Sequence, residues 1–224
     1  MFNLDLLPTI DLINDDTDSG RYYYSPEFSS IRYPSVTTIL SRSNKFDHSW
    51  KDKWIARVGL EAANQISNKA TKRGSKLHDI CEKYVLNQDY ITGQNPTVLG
   101  LFSEGQQLLS KNITKVYGTE FALKSEKYNT AGRTDLLADW NGYPAVVDYK
   151  TSKHEKSSED ILNYYVQTCI YAKMATDQTG INFDRCVIIM FCDNGPARTY
   201  KFMISKYMNL VDEIFLGDRV GSKD

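Results

Sequence analysis

The elements predicted along this 224-residue chain are typical of an α/β fold, a mixed central sheet flanked by helices. An Asn141-Gly142 pair between two strand-like runs is a strong hairpin signal, because both turn positions need a positive φ. The nearly continuous apolar run at residues 183–192 predicts a buried strand, and the amphipathic segment at 154–176 predicts a helix before it. We therefore expect the second hairpin strand and the 183–192 strand to be parallel neighbours joined by this crossover helix.

Helices are predicted ahead of the sheet, as an N-terminal elaboration of the core. Ser35 follows Pro34 and suits the N-cap of a short helix. Three longer helices are expected at residues 49–65, 70–87 and 97–111. In the first of these, four apolar residues recur on one face, a spacing that predicts packing against the core. They are Trp50, Trp54, Val58 and Ala62.

The remaining segments complete the prediction. A first long strand is expected at 113–126, a strand at 198–204 and a closing helix at 206–216. The N-terminus carries five aspartates and no Lys or Arg before Gly20, and we expect loose order or a short strand pair laid on the domain. Residues 21–24 (Arg-Tyr-Tyr-Tyr) predict an edge strand whose aromatic rings pack. The chain thus divides into an acidic segment at 1–30, a helical region at 31–112 and the core of the fold at 113–224.

The charge distribution excludes one class of protein and leaves another open. A formal net charge of −1 argues against a basic protein that coats DNA in bulk, but a local patch can still bind DNA. Residues 42–76 provide such a patch, with nine Lys or Arg against three acidic residues. No apolar run approaches the roughly 18 residues of a membrane span, and the N-terminus resembles neither a secretory nor a mitochondrial targeting signal. We therefore expect no membrane partner.

The hairpin gathers charged side chains. A two-residue turn places Trp140 opposite Tyr143 and, counting back, Asp135 opposite Asp148. Side chains alternate along a strand, so Lys150 shares the face of Asp148. Opposed like charges destabilise a sheet, and hard cations such as Mg²⁺ or Mn²⁺ prefer carboxylate oxygens. The pattern predicts a metal site at the two aspartates, with the lysine orienting water or stabilising charge; the alternative is an exposed strand end with a solvated lysine.

The sequence Gly-Arg-Thr-Asp at 132–135, followed by Val-Val-Asp-Tyr-Lys-Thr at 146–151, resembles the core of the PD-(D/E)XK nucleases. The resemblance is to the RecB-type exonuclease branch, which includes mitochondrial and phage enzymes, and it extends from about residue 33 to residue 171. It implies the nuclease fold, a Mg²⁺- or Mn²⁺-dependent deoxyribonuclease activity, and Asp135, Asp148 and Lys150 as the catalytic residues.

The resemblance also implies further metal ligands. His78 follows Arg73-Gly74 on a helix before the sheet, where this branch places a metal-binding histidine. A lone histidine on an apolar stripe is more often a packed core residue than a metal ligand. The resemblance favours the metal ligand for His78. The backbone carbonyl of Tyr149 is implied as a ligand, and Glu120 as a ligand of a second metal or as a residue that orients water. An exposed strand glutamate is an equal alternative for Glu120.

A set of DNA-contacting residues is expected from the basic helices and the family motifs. They are Ser35, Lys51, Lys53, Arg57, Arg73, Arg133, Thr151, Ser152, Gln167 and Tyr171. The resemblance favours an exonuclease that threads single-stranded DNA from a free end under a helical arch, acting in replication, repair or recombination. A structure-specific endonuclease and a non-catalytic DNA-binding protein on a nuclease fold are the alternatives.

Some RecB-type nucleases carry an iron–sulfur cluster on four cysteines. Here Cys81, Cys169, Cys186 and Cys192 contain no CxxC pair, and two of them lie in helix-like segments, so we expect buried thiols and no cluster. The resemblance to phage enzymes and the lack of a targeting signal favour a cytoplasmic protein of a bacterial or phage-infected cell. The oligomeric state is left open.

Overall fold

The Asn141-Gly142 turn connects two central strands of a six-stranded mixed sheet. A computed structural model describes residues 1–26 and 31–217. The predicted boundary at residue 30 and the stretch 218–224 of the predicted core lie outside the described residues. The strands are β1 (Asn3–Leu4), β2 (Ile13–Thr17), β3 (Gly20–Tyr24), β4 (Tyr33–Pro34), β5 (Ile113–Ser125), β6 (Thr130–Trp140), β7 (Tyr143–Ser152), β8 (Arg185–Cys192) and β9 (Arg198–Met203).

Helices surround this sheet in the predicted order. They are α1 (Val36–Arg42), α2 (Ser49–Val58), α3 (Leu60–Val85), α4 (Pro96–Asn112), α5 (Leu162–Thr179) and α6 (Met208–Leu216). Two 3₁₀ turns, Glu159–Ile161 and Ile204–Lys206, precede the last two helices. The crossover helix therefore begins later than predicted, because a loop and a 3₁₀ turn occupy its expected first turns.

The sheet has the predicted topology. Its strand order is β1-β5-β6-β7-β8-β9, with β5, β6 and β7 antiparallel and β7 parallel to β8. Asn141 and Gly142 have φ values of 53° and 81°, as the turn type demands. Trp140 pairs with Tyr143, so the predicted register of the hairpin is confirmed.

Two apolar layers cover the two faces of the sheet. Leu137 and Val146 pack in a cluster with α1, α5 and α6, whereas their neighbours Leu136 and Val147 pack in a cluster with α3 and α4. Fully burying an aliphatic side chain of this size contributes about 1.5–3 kcal/mol, so each face fixes the register strongly. Asp148 has the parity of Val146 and therefore points towards the α5 side, whereas Asp135, just beyond the last pair, faces His78 on α3.

The N-terminal segment contains the short strand pair that was one of the two alternatives expected there, β2 with β3, and further pairings extend it. β1 pairs parallel with β5 at the edge of the main sheet, and β2, β3 and β4 form a separate three-stranded antiparallel sheet. Residues 21–24 lie in the centre of this small sheet, so the prediction of an edge strand is wrong. Leu12 and Tyr23 are buried in a cluster with Ala122 and Ala131, which holds the small sheet against the core.

The helices before the sheet differ from the prediction in the boundary between α2 and α3 and in the burial of the apolar face of α2. α2 ends at Val58 and α3 runs unbroken from Leu60, because Gly59 adopts a φ of 87° that interrupts the helix. No residue of α2 is buried, and Trp50 is 61% exposed, so the predicted packing of the aromatic stripe is wrong at Trp50. α2 packs chiefly on α3 and not on the sheet, which leaves most of its surface in water.

Within the described ranges, no helix combines the length and the apolar composition that crossing a membrane requires. All four cysteines are buried free thiols. Cys81 lies in the α3–α4 layer and Cys169 and Cys186 lie in the α5 layer, so their side chains fill different parts of the core.

Candidate active site

A polar cavity of about 340 Å³ opens beside the hairpin strands, with walls from β3, β5, β6, β7, α1, α3 and α5. The predicted site residues that line it are Ser35, His78, Glu120, Arg133, Asp135, Asp148, Lys150, Gln167 and Tyr171. Asn14, Arg21, Tyr23 and Thr37 complete the lining. The cavity therefore brings together the hairpin, the helix that carries the histidine, and the small N-terminal sheet.

Asp135 lies where the two hairpin strands cease to pair. The described pairs end at Leu136 and Val147, and beyond them the backbone N–H of Tyr149 donates to Asp135 Oδ2 over 2.6 Å. The Asp135 carboxylate thus accepts the hydrogen bond that a backbone carbonyl of the neighbouring strand would otherwise accept. The backbone of β7 therefore fixes the position of this carboxylate.

His78 reaches this carboxylate from α3. Its Nδ1 lies 3.2 Å from Asp135 Oδ1, and its ring makes an edge contact with Tyr149. Burial lowers the pKa of His78, but the charge and close contact of Asp135, together with the charge of Asp148, outweigh burial and raise the net pKa. On Asp135 the effects are reversed: burial raises its pKa, and His78, Lys150 and the Tyr149 N–H together bring it below the ordinary value.

Glu120 completes a cluster with these two residues. Ligand atoms of His78, Glu120 and Asp135 all lie within 4.8 Å of one another. Glu120 has a φ of 43°, a left-handed conformation that non-glycine residues rarely adopt and that recurs at functional sites. Burial, together with the charge of Asp135, raises the pKa of Glu120 to about 7. The cluster thus brings two carboxylates and an imidazole together in a partly buried site.

Asp148 and Lys150 form a second buried group next to the cluster. Lys150 Nζ lies 2.5 Å from Asp148 Oδ2, an ion pair in which both side chains are largely buried. Burial raises the pKa of Asp148 to about 6 against the lowering effect of the lysine. The ammonium also lies 5.0 Å from the centre of the Tyr164 ring, a cation–π distance.

These features fit a divalent cation. The donors are one imidazole nitrogen and carboxylate oxygens, and carboxylates select hard cations such as Mg²⁺ and Mn²⁺. Burial and the proximity of Asp135 raise the pKa values of Glu120 and Asp148, and a positive charge at this position would lower both. His78, Glu120 and Asp135 each bring one ligand atom within 4.8 Å of the other two, a spacing at which the three could hold one ion.

The arrangement has a counterpart in a known family. The family model of the PD-(D/E)XK nuclease superfamily matches residues 60–185, more than half of the chain. The chain belongs to the PD-(D/E)XK nuclease superfamily. The mixed six-stranded sheet flanked by helices is the fold of this superfamily, whose members use divalent metal ions.

Three relatives match a longer part of the chain, at 23–25% identity. All are called mitochondrial genome maintenance exonuclease 1. The human protein is 23% identical over 177 residues, which cover 75% of this chain and 52% of that protein. The mouse protein is 25% identical over 188 residues (78% and 55%), and the Xenopus tropicalis protein 24% over 177 residues (75% and 51%). The chain spans about half the length of these curated relatives.

In this PD-(D/E)XK nuclease, α5 supplies the polar wall opposite the hairpin. Gln167 and Tyr171 are both buried, lie one turn apart and line the cavity as the family motif implies. Gly132 makes room for Tyr171, because a Cβ at this position would lie 2.9 Å from the Tyr171 ring. The glycine of the Gly-Arg-Thr-Asp motif is thus required by close packing.

Two predicted DNA-contacting residues in the cavity also have structural partners. Ser35 caps α1, accepting a hydrogen bond from the backbone N–H of Thr38 as predicted. Arg133 donates to the backbone carbonyls of Glu120 and Leu12 over 3.2 and 2.7 Å. Its guanidinium therefore ties the N-terminal segment to the site, and its role towards phosphates stays a prediction.

Six predicted DNA-contacting residues do not line the cavity. Lys51, Lys53, Arg57, Arg73, Thr151 and Ser152 all lie outside it. The first three are exposed on α2. Arg73 forms an ion pair with Asp193, and Ser152 donates to the carbonyl of His154 over 2.6 Å. Their assignment to DNA stays a prediction.

Sequence reasoning missed four residues that line the cavity, Asn14, Arg21, Tyr23 and Thr37, and also Tyr164 beside Lys150. Arg21 and Tyr23 alternate along β3 and so share one side of it, and both line the cavity. Tyr164 lies on α5, three residues before Gln167, with its ring against Lys150. The helical spacing could have indicated Tyr164, whereas Arg21 depends on the placement of the small sheet, which no local pattern gives.

Proposed function

We propose that this protein is a metal-dependent DNA exonuclease that hydrolyses phosphodiester bonds of single-stranded DNA from free ends. The observation that carries the proposal is the meeting of His78, Glu120 and Asp135 in one cavity with the buried Asp148–Lys150 pair. A site of this composition suits replication, repair or recombination, where DNA ends are trimmed. The fold alone does not carry the proposal, because one fold can support many functions.

The cation is proposed to be Mg²⁺ or Mn²⁺. His78, Glu120 and Asp135 would hold it, with Asp148 and the backbone carbonyl of Tyr149 as further ligands. When bound, such an ion polarises a phosphoryl oxygen and makes bound water a stronger nucleophile. The imidazole in the donor set favours tolerance of Mn²⁺.

The side chains of this protein account for the remaining steps. Asp148 and Asp135 raise the pKa of Lys150 against the opposing effect of burial, so the lysine enters the reaction protonated. A fixed ammonium orients the attacking water and stabilises the negative charge that develops on the phosphorus oxygens. The Tyr149 N–H holds the Asp135 carboxylate in place throughout, since the hydrogen bond comes from a rigid strand.

The substrate is inferred from the charge of the outer helices. Lys51, Lys53 and Arg57 are exposed on α2, which has no buried residue and leaves its cations free to meet a phosphate backbone. The relatives named as exonucleases support a requirement for a free end. Inside the cavity, Ser35, Arg133, Gln167 and Tyr171 are proposed to contact the DNA near the scissile bond, with Arg73, Thr151 and Ser152 outside it.

Digestion of end-labelled DNA tests the proposal directly. We expect linear single strands to be degraded in Mg²⁺ or Mn²⁺, double strands to be cut more slowly, and closed circular single strands in the same tube to stay intact. Charge reversal at Lys51, Lys53 and Arg57 should weaken binding and flatten its salt dependence. The control for each pair of these changes is the reversal of Lys111 and Lys201, two lysines exposed near the turn end of the sheet.

Two outcomes would replace the proposal. Equal rates on linear and circular single strands would favour an endonuclease. Binding of DNA without cleavage in any divalent metal would favour a non-catalytic DNA-binding protein. Retention of Asp135, Asp148 and Lys150 argues against the second outcome, because decay of activity removes the need for a buried lysine and paired carboxylates.

A further inference from the structure

The cavity is lined by acidic and basic residues, and two of its three basic residues are already engaged by other groups of the protein. Its acidic residues are Glu120, Asp135 and Asp148, and its Lys and Arg residues are Arg21, Arg133 and Lys150. Lys150 is paired with Asp148, and Arg133 donates to two backbone carbonyls. Among the described Lys and Arg residues of the lining, this leaves Arg21 as the cation whose only ion-pair partner is an exposed carboxylate.

That partner lies at the surface. Arg21 Nε lies 2.8 Å from Asp16 Oδ1 and Nη2 lies 3.4 Å from Oδ2, and the two side chains are 49% and 59% exposed. Asp16 does not line the cavity, whereas Arg21 does. Exposed ion pairs contribute little to stability and are screened by salt, so a second anion can compete for the guanidinium.

The backbone of Arg21 is fixed relative to the cavity. Its carbonyl accepts from the backbone N–H of Ser35 over 2.8 Å, and its own N–H donates to Thr38 Oγ1 over 3.0 Å. The small N-terminal sheet is therefore locked to the start of α1, and Arg21 projects from a rigid strand. A guanidinium on a rigid strand suits bidentate recognition of a phosphate.

We propose that Arg21 is a substrate-binding residue that exchanges Asp16 for a DNA phosphate when the nucleic acid enters the cavity. The inference rests on the proposed nuclease function and adds a role for the N-terminal sheet. Asp16 acts as a placeholder: it keeps the guanidinium oriented in the free protein and lowers its affinity for phosphate by competition. Arg21 is thereby a binding residue, and it takes no part in the chemical step.

Because Asp16 competes with phosphate for Arg21, substitutions of the two residues should change KM in opposite directions. Arg21→Gln removes the phosphate contact and should raise KM roughly tenfold or more, the size of a charge-assisted hydrogen bond, with a smaller change in kcat. Asp16→Asn frees the guanidinium and should lower KM a few-fold. A neighbouring pair, Arg32 with Asp15, gives the matched control, because neither residue lines the cavity.

The experiment measures a dye-labelled single-stranded oligonucleotide by fluorescence anisotropy in EDTA, and KM and kcat in Mn²⁺. Weaker binding in Arg21→Gln, a salt dependence reduced by about one phosphate contact, and tighter binding in Asp16→Asn support the inference. Arg32→Gln should match the wild type. If the wild type binds and cuts DNA while Arg21→Gln equals Arg32→Gln, the inference is overturned and the nuclease function stands. If the wild type neither binds nor cuts, the proposed function fails and the inference falls with it.

Discussion

The backbone N–H of Tyr149 donates to Asp135 Oδ2 over 2.6 Å, at the position where β6 and β7 cease to pair. The other oxygen of the same carboxylate faces His78. The Asp135 side chain thus accepts a hydrogen bond from β7 with one oxygen and contributes the other oxygen to the candidate metal site. Any movement of the hairpin register would move the donor set with it.

This dual role separates two substitutions of Asp135. Asn keeps an oxygen that can accept from Tyr149, whereas Ala leaves the N–H buried without a partner. We expect Asp135→Ala to lower the free energy of unfolding by about 1–3 kcal/mol relative to Asp135→Asn. Urea unfolding in EDTA measures this, and equal stabilities for the two variants would show that the hydrogen bond is unimportant.

Lys150 is expected to act in the chemical step and not in folding. Lys150→Ala should lower kcat roughly 10²–10³-fold, the loss seen when a preorganised donor to a transition-state charge is removed. DNA affinity should change little. Lys111→Ala, at the exposed end of α4, should retain full activity. A Lys150→Ala enzyme that cuts within threefold of the wild-type rate would rule out this role.

Tyr164 is expected to position Lys150 through its ring. Tyr164→Phe keeps the aromatic face and should be nearly as active as the wild type. Tyr164→Leu removes that face and should lower kcat by between about twofold and thirtyfold, the range of a cation–π contact, with little change in KM. Steady-state kinetics on a linear oligonucleotide distinguish the two. Similar kcat values for Phe and Leu would show that only the side-chain volume matters.

The packing of Gly132 against Tyr171 gives a prediction on stability. Gly132→Ala inserts a Cβ 2.9 Å from the tyrosine ring and should destabilise the fold by about 1–3 kcal/mol while displacing Tyr171 from the cavity. Gly100→Ala is the control, because its Cβ meets open space on α4 and should stabilise by up to about 1 kcal/mol. Thermal unfolding of both variants checks the sign, and a neutral Gly132→Ala would contradict the packing argument.

The hairpin could be predicted from sequence because its signals are local. Turn chemistry at Asn141-Gly142 fixed the register, and the register placed Asp135 near Asp148. The parallel pairing of β7 with β8 followed from one apolar run and one crossover helix. These elements depend on neighbours within a few tens of residues.

The features that escaped prediction depend on distant partners. The pairing of β1 with β5 joins residues more than 100 positions apart, and Arg21 enters the cavity only because β3 packs beside α1. Trp50 fits the apolar spacing of a buried helix face, yet it is exposed because α2 does not pack on the sheet. Periodicity identifies an apolar face but not the surface, if any, that buries it.

The central claim is that His78, Glu120 and Asp135 together hold a divalent cation, and the most direct test is the Mn²⁺-induced change in melting temperature. A ligand at about 100 times its Kd stabilises the folded state by about 2.7 kcal/mol, a shift of several degrees. We expect this shift in the wild type and in the exposed control Glu104→Gln, and a much smaller shift in His78→Ala, Glu120→Gln and Asp135→Asn. An undiminished shift in all three of these variants would contradict the account.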